Sequence, residues 1–234
     1  MRARLIEEGV SDTQLVVIPN WADGDCVVDV ESSASELRKA WRLGDKFVVG
    51  YSGNAGRVHD LATVVDAMEL LKGEKQIAFL FVGGGKHRGW LESEVRRRGL
   101  ENVQFRPYQP RERLMSSLRV ADVHLVTLLP AMEGLVVPSK FYGVAAAGRP
   151  TLFVGDADGE IAQIVIDAAC GVVVSSGDPA ALARAILTLR DQPELLALHS
   201  RNARAVFEVR FDKKHAMSRW KGLIERVGND KPTK

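Results

Sequence analysis

The sequence predicts an α/β protein with a doubly wound, Rossmann-like parallel sheet that helices cover on both faces. Short β-branched runs alternate with longer amphipathic segments, glycine-rich turns join the two, and the short runs are continuously apolar. Continuous apolar runs are typical of parallel strands that are buried on both faces. Parallel neighbours also need a crossover, which is nearly always a right-handed helix.

The β-branched runs are predicted to be strands, and the segments between them helices. The strands are 15–18, 47–52, 77–82, 103–105, 122–127, 151–154 and 172–174. In the predicted helix 58–71, apolar residues recur at spacings of three, one, three and three, which places them on one helical face. They are Leu61, Val64, Val65, Met68 and Leu71, and Leu182, Ala185, Ile186 and Leu189 repeat the pattern. Two helices without a strand between them are predicted over 193–227.

Composition excludes several classes of protein. The chain has 32 Lys and Arg against 30 Asp and Glu, a balance too even to indicate a nucleic-acid partner. Its two cysteines, Cys26 and Cys170, lie far apart and form no metal-ligand spacing, which favours a reducing cytoplasm over a disulfide framework. No apolar run reaches the roughly 18 residues of a membrane helix, and the N-terminus leads into a polar helix. We therefore expect a soluble protein.

The loop after strand 47–52 is the first candidate for chemistry, because ligands of open α/β sheets bind at the carboxyl ends of the strands. It carries Gly50, Gly53 and Gly56, followed by Arg57 and the start of a helix. Glycines let the backbone approach a ligand, and the free amides and dipole of a helix N-terminus favour phosphate. The spacing is not that of the dinucleotide fingerprint, which disfavours a nicotinamide dehydrogenase. The alternative is a tight turn that merely needs glycine.

The next two loops offer weaker signals. Three consecutive glycines, 83–85, follow strand 77–82 and also stand at a carboxyl end. The alternative is a structural turn before the predicted helix 86–98. In the loop after strand 103–105, Tyr108 lies between two prolines, which would stiffen a wall for a nucleotide base. A surface aromatic is the alternative there.

The segment 133–150 is the most informative part of the chain. Glu133, an open run of backbone amides and Lys140 precede a helix whose alanines allow close packing. A helix that starts near Pro138 would aim its N-terminus at the crevice, which makes Ser139 and Lys140 candidates for binding a diphosphate. The alternative is a buried helix with an incidental lysine.

In this order and at these distances, the motifs resemble the C-terminal half of a glycosyltransferase family 4 enzyme of the GT-B fold, the retaining type that uses nucleotide-sugar donors. The resemblance covers nearly the whole chain. It rests on 17–21 (VIPNW), 51–57 (YSGNAGR), 81–85 (FVGGG), 121–123 (ADV), 138–140 (PSK), 147–150 (AGRP) and 158–161 (DGEI).

The resemblance implies that this half binds a sugar donor of the UDP or GDP type. Arg57 and Lys140 would neutralise the diphosphate and Glu133 would face the sugar, which makes these three the implied catalytic residues. Transfer would proceed with retention, commonly in polysaccharide biosynthesis, and no metal is expected, because cations and helix dipoles stabilise the departing phosphate. Further donor contacts are predicted at Gly53, Asn54, Gly56, His59, Gly84, Tyr108, Ser139, Gly159 and Glu160. His59 stands near the helix start and is expected to contact phosphate; the alternative is an exposed or N-capping histidine.

The chain departs from the family pattern at its glutamates. The pattern has two glutamates with seven residues between them, and the second holds the ribose. Here Gly143 occupies the place of the second, and its distance from Glu133 is two residues too long. Glu160 is the nearest acid in a neighbouring loop, and we expect it to take over the ribose hydroxyls.

The resemblance also divides the chain. Residues 1–20 are predicted to be an interdomain linker with the first strand, 21–210 the nucleotide-sugar binding domain, and 211–234 a C-terminal helix and tail. An N-terminal domain or a separate subunit would bind the acceptor. This partner could also attach the cytoplasmic protein to the inner face of a membrane. In its absence we expect an exposed apolar patch around Trp220 and Ile224.

Two other functions stay open from the sequence. A nucleotide-sugar 2-epimerase shares the fold, but it would need acids and a histidine from both halves, and no such cluster is evident in this chain. A non-catalytic interaction module that has lost its site is the other alternative. The absence of the second glutamate is its best support.

Overall fold

The sheet carries the architecture of the molecule. The computed structural model describes residues 1–24 and 30–229. Within these ranges, six parallel strands form one sheet in the order β3-β2-β1-β4-β5-β6, so the predicted doubly wound sheet is confirmed. The strands are β1 Phe47–Asn54, β2 Ile77–Gly84, β3 Val103–Arg106, β4 Val123–Thr127, β5 Thr151–Gly155 and β6 Gly171–Ser175.

Each of these strands lies within two residues of its predicted ends. The predicted first strand, 15–18, is wrong, because this segment pairs with no strand in the described ranges. Its Val16 and Val17 are 50% and 58% exposed. Strand propensity reflects how well a side chain packs on a half-buried pleated surface, and this apolar run finds no sheet edge to pack on.

The strand order reverses between β1 and β4. β1 pairs with β2 along its whole length, from Phe47 to Asn54, but it pairs with β4 only at Val49 and Gly50. The last four residues of β1 therefore run past β4 without pairing to it. In sheets of this order, ligands bind in the crevice at such a reversal, outside the carboxyl ends of the strands.

The helices connect the strands and close both faces. They are α1 Arg2–Glu7, α2 Val30–Ala40, α3 Leu61–Leu70, α4 Arg88–Arg98, α5 Leu114–Arg119, α6 Lys140–Ala146, α7 Glu160–Asp167, α8 Pro179–Asp191, α9 Pro193–Val206 and α10 Lys213–Asn229. A π-helix, Phe207–Phe211, joins α9 to α10. The C-terminal helix predicted over 212–227 is thus present, while the tail 230–234 and Cys26 lie outside the described residues.

Two helix starts differ from the predicted ones. α3 begins at Leu61 and not at Val58, because the Asp60 carboxylate accepts a hydrogen bond from the Thr63 amide at 3.0 Å and caps the helix there. α6 begins at Lys140, two residues after Pro138.

The core has one large layer on each face of the sheet. On one face, the predicted apolar stripe of α3 is buried together with side chains of α4 and α8. On the other face, α6, α7, α9 and the π-helix cover β4 and β5. α2 and α5 pack together beside them. The predicted helices on both faces are therefore confirmed.

Candidate functional site

The loops after β1 and β2 form one interlocked unit at the crevice. Ala55 donates its amide to Gly84 O at 2.7 Å, and His87 donates its amide to Ala55 O at 3.0 Å. Gly83 has φ +130°, and a Cβ added there would lie 2.3 Å from Gly53 O. A Cβ at Gly85 would lie 2.4 Å from the Asn54 side-chain oxygen. These glycines are required because the two loops touch backbone to backbone. From the sequence alone, this reason for glycine could not be distinguished from close approach of a ligand.

Lys140 crosses beneath the β1 loop. A Cβ at Gly53, where φ is +119°, would lie 3.2 Å from Lys140 Cε, a tight contact from which the lysine stem would have to shift slightly. The Lys140 Nζ lies 2.8 Å from His59 Nε2 and 5.0 Å from the centre of the Tyr51 ring. Among the described residues no carboxylate lies within ion-pair distance of it. Burial lowers the pKa of Lys140 to about 8.

His59 is buried beneath the same loop, only 8% exposed. Its Nδ1 lies 2.6 Å from Thr127 O, at the carboxyl end of β4, and its Nε2 faces Lys140. Burial, and then the charge of Lys140, lower the pKa of His59 to about 4, so the ring is neutral at pH 7. Both ring nitrogens are therefore engaged in this arrangement, and the donor contact of His59 stays a prediction.

Arg57 lies on the outside of the β1 loop. Its side chain is exposed and lines an open cleft of about 320 Å³ with His59, His87, Trp90 and others. His59 therefore borders the cleft that Arg57 lines while it also contacts Lys140. Of the two predicted cations, Arg57 is thus exposed and shares a cleft with His59, whereas Lys140 is partly buried and contacts the same histidine.

Glu133 lies at the N-terminus of α7. Its Oε1 accepts a hydrogen bond from the Glu160 amide at 3.3 Å, and a Cβ at Gly159 would lie 2.5 Å from its Oε2. A carboxylate is stabilised there by the helix dipole and by free amides. The glycine predicted as a donor contact thus makes room for Glu133, which is partly buried and held by the loop after β5.

The structure does not bring all of the remaining predicted contacts to one place. Glu160 has an exposed side chain and lines a separate pocket of about 530 Å³ between Tyr142 and the N-terminal segment. Tyr108 is 60% exposed, and its ring would lie 3.2 Å from a Cβ at Gly84. The side chains of Asn54 and Ser139 are exposed, and Ser139 forms no side-chain cap with α6. A Cβ at Gly56 would lie 3.2 Å from the side-chain nitrogen of Asn54.

The sequence did not indicate two groups that build this site. Tyr51 supplies the ring beneath Lys140, and Thr127 supplies the carbonyl that orients His59. The hydrophobic pattern of β1 does not single out Tyr51, because the strand is apolar on both faces. Thr127 contributes its backbone carbonyl, and since every residue has one, the residue type could not indicate this role.

No cluster of three or more His, Cys, Asp or Glu suited to a metal ion occurs in ranges 1–24 and 30–229. In the same part of the chain, no helix combines the length and apolar character that crossing a bilayer requires.

The sheet has the doubly wound strand order and interlocked glycine loops, and at its point of reversal lies a lysine that no described carboxylate pairs with. These features define a doubly wound domain suited to a phosphorylated ligand. The sequence model of the family described as glycosyl transferases group 1 matches residues 33–206. The chain belongs to this family, and the resemblance drawn from its motifs is confirmed.

Two curated relatives support the assignment. The chain is 31% identical over 221 residues to the Escherichia coli (strain K12) protein named as the colanic acid biosynthesis glycosyl transferase WcaI, a match that covers 93% of this chain and 53% of WcaI. It is 34% identical over 187 residues to the Pseudomonas aeruginosa protein named as glycosyltransferase WbjE, covering 78% and 46% respectively. The chain thus spans about half the length of the curated relatives it matches.

Among solved structures, Anabaena Alr3699/HepE in complex with UDP and glucose superposes with a TM-score of 0.82 at 20% identity. The match covers 96% of this chain and 60% of the Anabaena protein. At this identity the likeness establishes the fold, which is that of one half of a GT-B enzyme.

Proposed function

We propose that this chain is the donor-binding half of a retaining glycosyltransferase that moves a sugar from a nucleotide diphosphate sugar to a polysaccharide or lipid-linked acceptor. One observation carries the proposal: a partly buried lysine, which no carboxylate of the described residues pairs with, lies beneath the glycine loop at the point of strand reversal. A desolvated cation is costly unless an anion joins it. A diphosphate at this loop is the ligand that supplies the missing charge.

In this proposal Lys140 and Arg57 stabilise the negative charge that develops on the leaving diphosphate. Backbone amides of the β1 loop add fixed dipoles, so the chain needs no metal for this step. Glu133 faces the sugar from the loop before α6, and Tyr108 offers a surface for the base. The solved complex of Alr3699/HepE with UDP and glucose, and the family membership of the chain, support a sugar-nucleotide donor.

The acceptor belongs to a second half of similar size. The curated relatives are about twice as long as their match to this chain, which supports an N-terminal domain or a separate subunit as the partner. We propose a cytoplasmic location for the protein. If its partner attaches to the inner face of the membrane, the protein is located there as well. The name of WcaI supports an exopolysaccharide or a related polymer as the product.

Calorimetry with UDP, GDP and ADP, each with and without Mg²⁺, tests the proposal. We expect one nucleotide to bind to the isolated chain with a Kd that does not depend on the metal. We expect transfer from the matching nucleotide sugar only after an N-terminal half has been supplied. If no nucleotide and no nucleotide sugar binds, the donor site is refuted and a non-catalytic module is favoured.

Glu160→Ala tests the assignment of the ribose. Loss of a hydrogen bond to a charged group weakens binding by about tenfold or somewhat more. The substitution should therefore raise the Kd of UDP but leave that of inorganic pyrophosphate unchanged, since pyrophosphate has no ribose. Equal effects on both ligands, or on neither, would remove Glu160 from the ribose site.

A further inference from the structure

We propose that His59 is a positioning residue whose neutral ring holds the ammonium group of Lys140 beneath the glycine loop without neutralising its charge. This inference rests on the proposed function, because Lys140 is the group that meets the diphosphate. It assigns to His59 a different role from the phosphate contact expected from the sequence.

The hydrogen bonds fix the tautomer of His59. Thr127 O is a backbone carbonyl, which only accepts, so the Nδ1 that lies 2.6 Å from it carries the ring proton. In the neutral ring Nε2 then has a free lone pair. The Lys140 Nζ at 2.8 Å therefore donates to Nε2. One chain of hydrogen bonds runs from the lysine through the ring to the end of β4.

The shared proton stays on the lysine. The pKa of Lys140 is about 8 and that of His59 about 4, and burial is the main cause of both. At pH 7 the pair is thus an ammonium beside a neutral imidazole. The groups that face it are the Tyr51 ring, 5.0 Å from Nζ, and the more distant His87, whose charge would lower the pKa of His59 further.

A neutral acceptor suits this position better than a carboxylate would. An aspartate or glutamate at the same distance would also orient the lysine, but it would cancel the charge that attracts the ligand. The imidazole provides one directed lone pair and no net charge. The ring is itself held rigidly, because the next residue, Asp60, binds Thr63 and Ser176.

Two substitutions separate the two hydrogen bonds of the ring. His59→Asn places its amide near the position of Nδ1, so it can still donate to Thr127 O but cannot reach Lys140. His59→Gln places its carbonyl near the position of Nε2, so it can still accept from Lys140. We expect His59→Asn to raise the Kd of inorganic pyrophosphate and UDP about tenfold, and His59→Gln to leave both within about threefold of the wild type.

A double-mutant cycle with Lys140→Met tests whether His59 acts through the lysine. In the Lys140→Met background, His59→Asn should have no further effect on pyrophosphate binding. A full effect in that background would mean that His59 contacts the ligand directly, and the proposal would be overturned. Equal Kd values for wild type, His59→Asn and His59→Gln would also overturn it. Melting temperatures of all variants are measured in parallel, so that binding is compared among folded proteins only.

Ring nitrogen NMR provides a reading that needs no ligand. We expect His59 to be neutral from pH 6 to pH 9 with its proton on Nδ1, and we expect the Nε2 signal to move when Lys140→Met removes the donor. A proton on Nε2, or an Nε2 signal that Lys140→Met does not change, would refute the positioning role. If the wild type bound no nucleotide and no pyrophosphate, the proposed function would fail, and this measurement would still decide the arrangement of the pair.

Discussion

Lys140 combines features that rarely occur together in one side chain. It is partly buried, its Nζ lies over the Tyr51 ring and donates to a neutral histidine, and it has no carboxylate partner in the described part of the chain. A lysine in such surroundings is poised between its charged and neutral forms. Its charge is therefore sensitive both to pH and to an arriving anion.

This predicts that nucleotide binding weakens in alkaline solution. In the free protein Lys140 loses its proton as the pH rises through about 8, whereas a bound diphosphate favours the charged form. Binding above this pH must therefore take up a proton. The Kd of UDP should rise by up to about tenfold per pH unit there, as calorimetry between pH 6.5 and 9.5 would measure.

Lys140→Arg is the matched control, because a guanidinium stays charged throughout this range. Its Kd should not change with pH, and Lys140→Met should bind about 10- to 150-fold more weakly than the wild type at pH 7. An alkaline weakening that persisted in Lys140→Arg would assign the titration to another group.

At this scale the sequence indicates which side chains are candidates for chemistry, but it does not indicate their contacts. Lys140 and Arg57 could be singled out because cations beside glycine loops and helix starts indicate phosphate. The pairing of Lys140 with His59 could not, since the two residues are 81 positions apart and meet only after β1 and β4 are placed side by side. The same holds for Glu133, whose partner at the start of α7 is 27 positions away.

At the scale of elements, the prediction succeeded wherever a segment is buried on the sheet. The continuous apolar runs of β1 to β6 and the stripe of α3 follow directly from burial on two faces or on one. The segment 15–18 has the same apolar composition but no neighbouring strand in the described ranges, so composition alone was misleading. The start of α3 was misplaced because its cap depends on Asp60, which the periodicity of apolar residues does not register.

The interlocked loops predict a large effect for Gly83→Ala. The new Cβ would lie 2.3 Å from Gly53 O, at a φ of +130° that residues other than glycine rarely adopt. We expect the free energy of unfolding in urea to fall by about 2 kcal/mol or more. We also expect weaker UDP binding, because the clash would displace the β1 loop at Gly53, which lies against Lys140.

Gly73→Ala provides the comparison, since a Cβ there meets nothing within 4 Å. Its free energy of unfolding should stay within about 1 kcal/mol of the wild type, and its UDP affinity should not change. If Gly83→Ala behaved like Gly73→Ala, the two loops would not form a rigid unit.

At the scale of the whole molecule, the C-terminal segment contains both a buried π-helix and a helix, α10, with exposed apolar side chains. The π-helix buries Phe207 and Phe211 against α6, but α10 beyond it presents an apolar stripe to solvent. Along this stripe Met217, Trp220, Ile224 and Val227 are between 43% and 66% exposed. The apolar patch expected around Trp220 and Ile224 is therefore present, and contiguous apolar surface of this kind is typical of contact sites.

Ile224→Glu tests how this stripe differs from the core. Because the Ile224 side chain is 66% exposed, the free energy of unfolding should change by no more than about 0.5 kcal/mol. Sedimentation velocity at high protein concentration should show less self-association than in the wild type, since the charge interrupts the stripe. Phe207→Ala, at a fully buried position, should by contrast cost about 3–5 kcal/mol. A cost above about 2 kcal/mol for Ile224→Glu would mean that α10 is packed against the domain and is not open for a partner.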